Sequence, residues 1–431
     1  MKKLWLISEK EIIETISKRV FYLFLIFFII YAGYLNFLSL EIYTNISNNT
    51  VTSPQLIMSA DPNQGIIAPL FSNFFLFFLL IFPIIFSTAI SSEKENKTFD
   101  ILKLNFNENY LVIGKFIAYL LLSFIFFIIT FMILFPYIFG KGFVDINYFF
   151  NLFYGFFSIS LLWVSLILFI SAISPYYLSF YIVLSFNILI LGLDFISDII
   201  KLPFLDYLRV IFPYNYYDNI LKGIFNLKMI LLYIISGIMF LYLTSIILKN
   251  KKYKKIIFVI LIYIISIIFI SKINYKKDFT FNKINSLSET SIKLLKKVKQ
   301  KKIIINLYIK RYGAKYQTAL DLIKLYELSF NNIKFNFINP ETTNKEYGIV
   351  EFIYKNRKKD TLSIDESIFT ENIYYVASGK HIKVHIVKKN VGKPFFFSKK
   401  LKTYYIIWIL FLITFIIYLR KIIINKTLIL L

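Results

Sequence analysis

Ile66–Ile90, IIAPLFSNFFLFFLLIFPIIFSTAI, carries no charged residue and runs directly into Ser91–Phe116, SSEKENKTFDILKLNFNENYLVIGKF, where lysines and acids crowd together. About 20 mostly apolar residues suffice to cross the hydrocarbon core of a bilayer as a helix. The first stretch meets that length and the chain turns apolar again from Lys115, so the charged piece reads as a short connection between two crossings. The same texture repeats outward. Runs at about 20–38, 66–90, 115–138, 150–173, 178–198, 229–248, 255–271 and 403–419 satisfy the criterion. The expected fold class is a polytopic α-helical membrane protein of about eight spans. Residues 272–402, between the last two runs, change to alternating Lys-rich and β-branched segments with periodic turns, the texture of a small α/β domain.

Composition agrees with a membrane class: 58% of the 431 residues are hydrophobic, and the mean hydropathy is +0.65. The formal charge of +25 comes with abundant Lys, Ile, Phe and Asn and little Arg, the signature of an AT-rich genome. That charge is therefore discounted as a sign of nucleic-acid binding, and no nucleic-acid motif accompanies it. The chain has no cysteine, which excludes disulfides, thiolate nucleophiles and Cys-ligated metals. The first apolar run is too long for a signal-peptide core and no small-residue cleavage site follows it, so it is expected to stay as an uncleaved span.

Orientation follows from the lysines and arginines of the short loops. Lys2, Lys3, Lys10, Lys18 and Arg19 precede the first run; Lys94, Lys97, Lys103 and Lys115 lie between the second and third. Lys249, Lys251, Lys252, Lys254 and Lys255 follow the sixth, and Arg420, Lys421 and Lys426 the eighth. All fall on one side if every run spans. The loop 39–65 has no Lys or Arg and the loop 139–149 only Lys141, whereas 199–228 holds Lys201, Arg209, Lys222 and Lys228. Both termini are expected to be cytoplasmic and residues 272–402 outside. Segment 4–19 gathers Trp5, Leu6, Ile12, Ile13 and Ile16 on one helical face, which reads either as a helix lying flat on the cytoplasmic surface or as a solvated lead-in.

The connection 91–116 resembles that of ABC type-2 permeases, where the second span runs into a pattern like E-K-x-x-G-T-x-E-L-L and a Gly-Lys opens the third. The matching positions are Glu93, Lys94, Thr98, Asp100, Ile101, Leu102, Gly114 and Lys115; Lys97 stands at the usual Gly, and the Pro that often follows the Leu pair is absent. Pro213, Tyr216, Tyr217 and Gly223 are similar to the family's pattern before its sixth span. The resemblance covers about residues 1–250. It implies a permease subunit of an ABC exporter in a bacterial cytoplasmic (inner) membrane, acting as a homodimer or with a related permease subunit, in contact with membrane lipid. Glu93, Lys94, Glu95, Thr98 and Asp100 would then belong to a coupling helix that docks on a separate cytosolic ATPase subunit.

A second resemblance begins at Asp278. DFTFNKINSLSETSIKLLKKV resembles the opening of the auxiliary extracytoplasmic component of gliding-motility ABC transporters, through Asp278, Thr280, Ser286, Leu287, Ser288 and Ser291. Locally, Ser288 is expected to cap a helix whose apolar face is Ile292, Leu295 and Val298. A strand at about 302–309, a helix at about 315–329 and a strand at about 332–338 follow. The segment from Thr370, TENIYYVASGKHIKVHIV, is similar to the family's later helix, Gly-Lys turn and strand. The implied organisation is a six-span permease domain over 1–250, a seventh span over 251–271, an auxiliary-like domain over 272–402, and an eighth span with a cytoplasmic tail over 403–431.

Catalytic chemistry finds no footing. No G-x-x-x-x-G-K-[ST] loop is present to cradle nucleotide phosphates, so ATP hydrolysis would belong to another chain and no cofactor is implied. On the expected strand His381 and His385 would lie about 13 Å apart, too far to share an ion, so no metal site is expected. Asp194 and Asp198 carry the sharpest polar signal within an apolar run. They read either as lining the outer mouth of a pathway or as solvated residues past the end of the span. Asn73 and Asn187 are pathway candidates too, with interhelical hydrogen bonding as the plainer role. Two rival functions stand: a membrane-embedded lipid-modifying enzyme, which would need clustered carboxylates or histidines at the interface, and a non-transporting envelope scaffold.

Overall fold

The computed structural model describes residues 2–52, 61–199, 213–249, 253–273, 275–280, 283, 285–298, 301–309, 314–330, 332–340, 345–385 and 393–430. The chain forms two compact units, Met1–Tyr275 together with Gly392–Leu431, and Lys276–Val391.

The larger unit is helical. Among the described residues seven helices are long and apolar enough to cross a membrane: Arg19–Asn48, Asn63–Glu95, Glu108–Phe139, Ile146–Ile173, Leu227–Leu248, Lys254–Ser271 and Lys399–Ile422. Helices dominate because a backbone in hydrocarbon must satisfy its N–H and C=O groups within its own segment. A further helix, Tyr176–Ile199, covers the expected fifth run, and its described apolar part is Tyr176–Leu189. Asn63–Glu95 and Ile146–Ile173 form the centre of the unit, 61% and 72% buried, whereas Lys254–Ser271 is 6% buried and sits at the periphery. A Phe-rich seam fills the centre. Phe74 meets Phe28, Phe78, Phe127 and Phe156 with ring centroids 5.1–6.2 Å apart, mostly tilted or edge-on as ring quadrupoles prefer.

Small polar side chains repair the places where helices break. Pro83 lies inside the helix Ala68–Phe86, which ends at Ser87. The freed N–H groups of Ile90 and Ser91 donate to Ser171 Oγ at 3.0 and 3.1 Å. Asn107 and Asp145 cap the helices Glu108–Ile133 and Ile146–Ile173 through Asn109 N and through Asn147 N and Tyr148 N.

The last span runs antiparallel along the first. Lys402 pairs with Glu41, Tyr405 bonds both Asn36 Nδ2 at 3.1 Å and the Gly33 carbonyl at 2.9 Å, and Arg420 lies over the Tyr22 ring at 5.7 Å. A Cβ at Gly33 would come within 3.0 Å of Ile409, so glycine sets how closely the two helices approach. The sequence pattern set the last two runs apart from the first six. The last run packs along the first, and Lys254–Ser271 packs on Leu227–Leu248, where Ser236 Oγ and Tyr263 Oη lie 2.8 Å apart; these two are the least buried of the seven.

The smaller unit is a mixed four-stranded sheet with helices. Strands β1 (Ile303–Tyr308), β2 (Ile333–Ile338), β3 (Val350–Tyr354) and β4 (Arg357–Thr361) stand in the order β2-β1-β3-β4. β1 and β2 are parallel, joined through the helix Ala314–Ser329, and β3 is antiparallel to both β1 and β4. Ile303, Ile305 and Leu307 alternate into a core with Leu322, Ile323, Tyr326, Phe369 and Ile373. Ser288 caps Glu289–Lys296 by accepting from Ser291 N at 3.3 Å, and Leu295 and Val298 are buried with Ile292 packed against them, as the sequence pattern requires. Residues 381–385 differ from expectation, for they form no strand. His381 instead stacks on Tyr375 with centroids 4.0 Å apart, after Gly379 ends the preceding helix at φ 80°. Among the described residues no group of three or more His, Cys, Asp or Glu could hold a metal.

Candidate functional site

The segment after the second span folds as two short helices, Ser91–Glu95 and Thr98–Asn105, hinged at Lys97. Lys97 adopts φ 58°, ψ 7°, the left-handed conformation that glycine takes without steric penalty. The hinge turns the second helix so that Phe99 is 3% exposed and Leu102 packs against the helical core. Lys103 donates to the Leu248 carbonyl at 3.2 Å while lying 4.9 Å over the Phe99 ring, fixing the segment to the end of Leu227–Leu248. The opposite side is free: Glu95, Asp100, Ile101, Leu104 and Asn105 are exposed. Leu104 is 84% and Ile101 62% exposed, three residues apart on one turn. The segment thus presents two acids around two bare aliphatic side chains.

Beneath it lies a buried ion cluster that the sequence pattern does not reveal. The helix Lys2–Ser17 buries Ile7, Ser8, Glu11 and Thr15, a stripe at helical spacing, and leaves Trp5, Leu6 and Ile13 exposed at 59%, 49% and 39%. The polar stripe faces the protein, with Ile12 and Ile16 packed beside it. It seats on the third span at Gly114, where a Cβ would stand 2.6 Å from Ile7 Cγ2. Ser8 Oγ donates to the Gly114 carbonyl at 2.9 Å.

The next residue, Lys115, is 1% exposed. Its ammonium donates to Glu11 at 2.6 Å and to the Ala89 carbonyl at 3.2 Å, and it pairs with Glu93 at 2.9 Å. Glu11 also accepts from Tyr119 Oη at 3.0 Å and Lys10 at 3.1 Å, and Lys10 reaches Glu93 at 2.9 Å. Lys115 is the buried cation between Glu11 and Glu93, and the half-exposed Lys10, which also pairs with Glu14 at 3.3 Å, supplies the second positive charge that burying both carboxylates requires. Burial opposes ionisation of Glu11, but the charges of Lys115 and Lys10 outweigh it and hold the carboxyl below its ordinary range. Lys10 is likewise partly desolvated, yet Glu11 and Glu93 hold its ammonium above the ordinary value. The cluster ties the helix Lys2–Ser17, the segment Ser91–Glu95 and the third span into one body.

The residues singled out by sequence divide accordingly. Glu93 is buried in the cluster, and Lys94 Nζ donates to the Ala172 carbonyl. Thr98 Oγ1 donates to the Glu93 carbonyl at 3.3 Å, while Glu95 and Asp100 are exposed and enter no ion pair among the described residues. Asn73 donates to Pro69 of its own helix at 2.9 Å, whereas Asn187 is fully buried and donates to the Leu79 carbonyl of the second span. The structure gives these two asparagines separate partners. Asp194 and Asp198 lie on Tyr176–Ile199, with side chains outside the described residues. Sequence reasoning missed Lys10, Glu11 and Tyr119. The available signal was Lys115 itself, counted as a loop charge although it opens an apolar run, where a lysine needs a carboxylate from another helix. Comparison with family models, curated proteins and solved structures finds no match for this chain.

Proposed function

We propose that this chain is the membrane-spanning permease subunit of an ABC-type exporter, driven by a separate cytosolic ATPase that grips the segment 91–105. The observation that carries this reading is the hinged helix pair: anchored inward by Phe99, Lys103 and the ion cluster, it offers Glu95, Asp100, Ile101 and Leu104 outward. A mixed acidic and aliphatic face of this kind suits docking, since rim charges orient a partner while the desolvated apolar centre binds it. The left-handed Lys97 falls where the resembled permease pattern has glycine, a position whose backbone favours that residue. When the ATPase closes, the ion cluster would carry the pull into the helix Lys2–Ser17 and the third span together, so the chain's work is conformational.

In this reading there are eight crossings. Antiparallel packing of the first and last spans needs an even number, and Tyr176–Ile199, about 36 Å long at 1.5 Å per residue, completes it. The lysine-rich connections lie in the cytoplasm, and the unit Lys276–Val391 is extracytoplasmic, an accessory related to gliding-type auxiliary components. A second permease copy or a related subunit completes the pathway.

The test is co-purification of the chain with its cytosolic ATPase, sought first among the products of neighbouring genes. Glu95→Lys with Asp100→Lys should cut recovery at least tenfold, because reversing both rim charges sets like charges against the partner at a cost of several kcal/mol, where a tenfold loss needs about 1.4 kcal/mol. Equal recovery with unchanged ATP hydrolysis would remove the segment from the mechanism. Glu93 is left out of this test, since a lysine there would confront Lys10 and Lys115.

A further inference from the structure

A groove of about 260 Å³ runs between the first, third and last spans, walled by Leu25, Ile29, Ile129, Met132, Leu412 and Ile416. From Leu412 to Leu419 it follows the last helix for about 10 Å, and its lining is aliphatic and aromatic throughout. An extended hydrocarbon chain suits an apolar slot running along the spans.

One end of the groove is polar. Tyr22 lines it and is 5% exposed, and its hydroxyl has no hydrogen-bond partner among the described residues. The Arg420 guanidinium lies over the Tyr22 ring, and its buried Nε is also unpartnered among the described residues. Antiparallel packing brings Arg19, which opens the first span, to the same end as Arg420 and Lys421. Lys18 is committed to Glu14 at 3.5 Å. Arg19, Arg420 and Lys421 enter no ion pair among the described residues. Cations without carboxylates, a buried hydroxyl lacking a partner, and an apolar slot meet where a helix end reaches the membrane interface.

We propose that this groove holds an anionic phospholipid, one acyl chain lying between the three spans and the phosphate at Arg420, with the Tyr22 hydroxyl completing the headgroup contact. Guanidinium suits this task because it donates in a planar fork to phosphate oxygens. The site would fasten the last span to the bundle, and it holds whether or not the chain transports anything.

The test is native mass spectrometry of the full chain in detergent, titrated with dioleoyl phosphatidylglycerol or dioleoyl phosphatidylcholine. Phosphatidylglycerol should be retained roughly tenfold more tightly, about 1.4 kcal/mol, because phosphatidylcholine offers the same phosphate but brings a choline cation against Arg19, Arg420 and Lys421. Arg420→Gln should erase that preference and Arg420→Lys should keep part of it. Ile129→Trp, which fills the slot, should abolish retention of both lipids; the monodispersity of Arg420→Lys certifies that substitutions at the Arg420 end leave the fold intact. Equal retention of the two lipids by the unaltered chain would overturn the proposal. So would displacement by excess inorganic phosphate, which would mark a free-anion site, or lipid loss that tracks formation of chain dimers, which would mark an interface between copies.

Discussion

Glu11 and Lys115 stand 104 residues apart in the chain and 2.6 Å apart in the protein, as an ion pair whose side chains are 4% and 1% exposed. The pair joins a helix outside the spans to one within them, at the level where the connection between the second and third spans begins. Glu93 and Lys10 close the arrangement, so none of the four charges can be altered without disturbing the others.

Lys115→Met is expected to destabilise the chain by about 3–5 kcal/mol, because it strands two buried carboxylates on Lys10 alone. Adding Glu11→Gln should recover a large part of that loss, giving a strongly non-additive pair. Thermal unfolding in detergent, followed by intrinsic fluorescence across the four variants of the cycle, measures it; additive losses would show that the two residues act separately.

The same cluster sets a pH dependence whose sign is fixed. The Glu11 carboxyl is held below its ordinary value of 4.5, so its contribution is complete above that pH and fades as pH falls through the lower folded value. Lys10 is held above its ordinary 10.5, so its share persists below that value and is lost only as pH rises through the raised one. Acidification from about pH 7 to about pH 4 should therefore lower the melting temperature of the wild-type chain more than that of Glu11→Gln. Parallel curves for the two proteins would contradict this.

Much of this was legible in the sequence, for reasons particular to each element. A span announces itself through length alone, so the apolar runs coincide with helices, and the cap at Ser288 follows from a local rule that needs only the next three residues. The parallel strands Ile303–Tyr308 and Ile333–Ile338 alternate clearly enough to be placed within a residue. Partner choice between spans is different in kind. Nothing in an isolated run tells that Gly33 and Asn36 will meet the last helix at Tyr405, since lipid-facing and helix-facing residues are equally apolar. For the same reason the apolar stripe of Lys2–Ser17 hid the fact that its polar stripe, with Glu11, is what packs inward. The expected strand at 381–385 came with the likeness of the segment from Thr370 to a family pattern of helix, Gly-Lys turn and strand; those residues form no strand, and His381 stacks on Tyr375.

At the hinge, Lys97→Gly should stabilise the chain by up to about 1 kcal/mol, by removing the Cβ that makes a left-handed residue costly. Lys97→Val should lose at least as much, because a β-branched side chain tolerates that conformation least. Denaturant midpoints for the two variants decide the point, and identical midpoints would mean that the turn relaxes freely.

The absence of cysteine makes membrane sidedness simple to test. Single cysteines at the exposed positions Asn48, Glu289 and Asn105 place one probe in each of three connections. In intact cells an impermeant thiol reagent should modify the first two and spare Asn105→Cys until the membrane is permeabilised. Labelling of Asn105→Cys in intact cells would reverse the orientation proposed for the ATPase contact.

The first and last spans also impose an order on assembly. Asn36 finds its partner in Tyr405, 369 residues later. At roughly 5–20 residues per second of synthesis, the earlier helix waits about 20–70 s in the membrane with its inward polar edge unmatched. Whatever keeps it from a wrong neighbour during that interval, an insertion factor or the adjacent second span, guards a seam that only the end of translation can close.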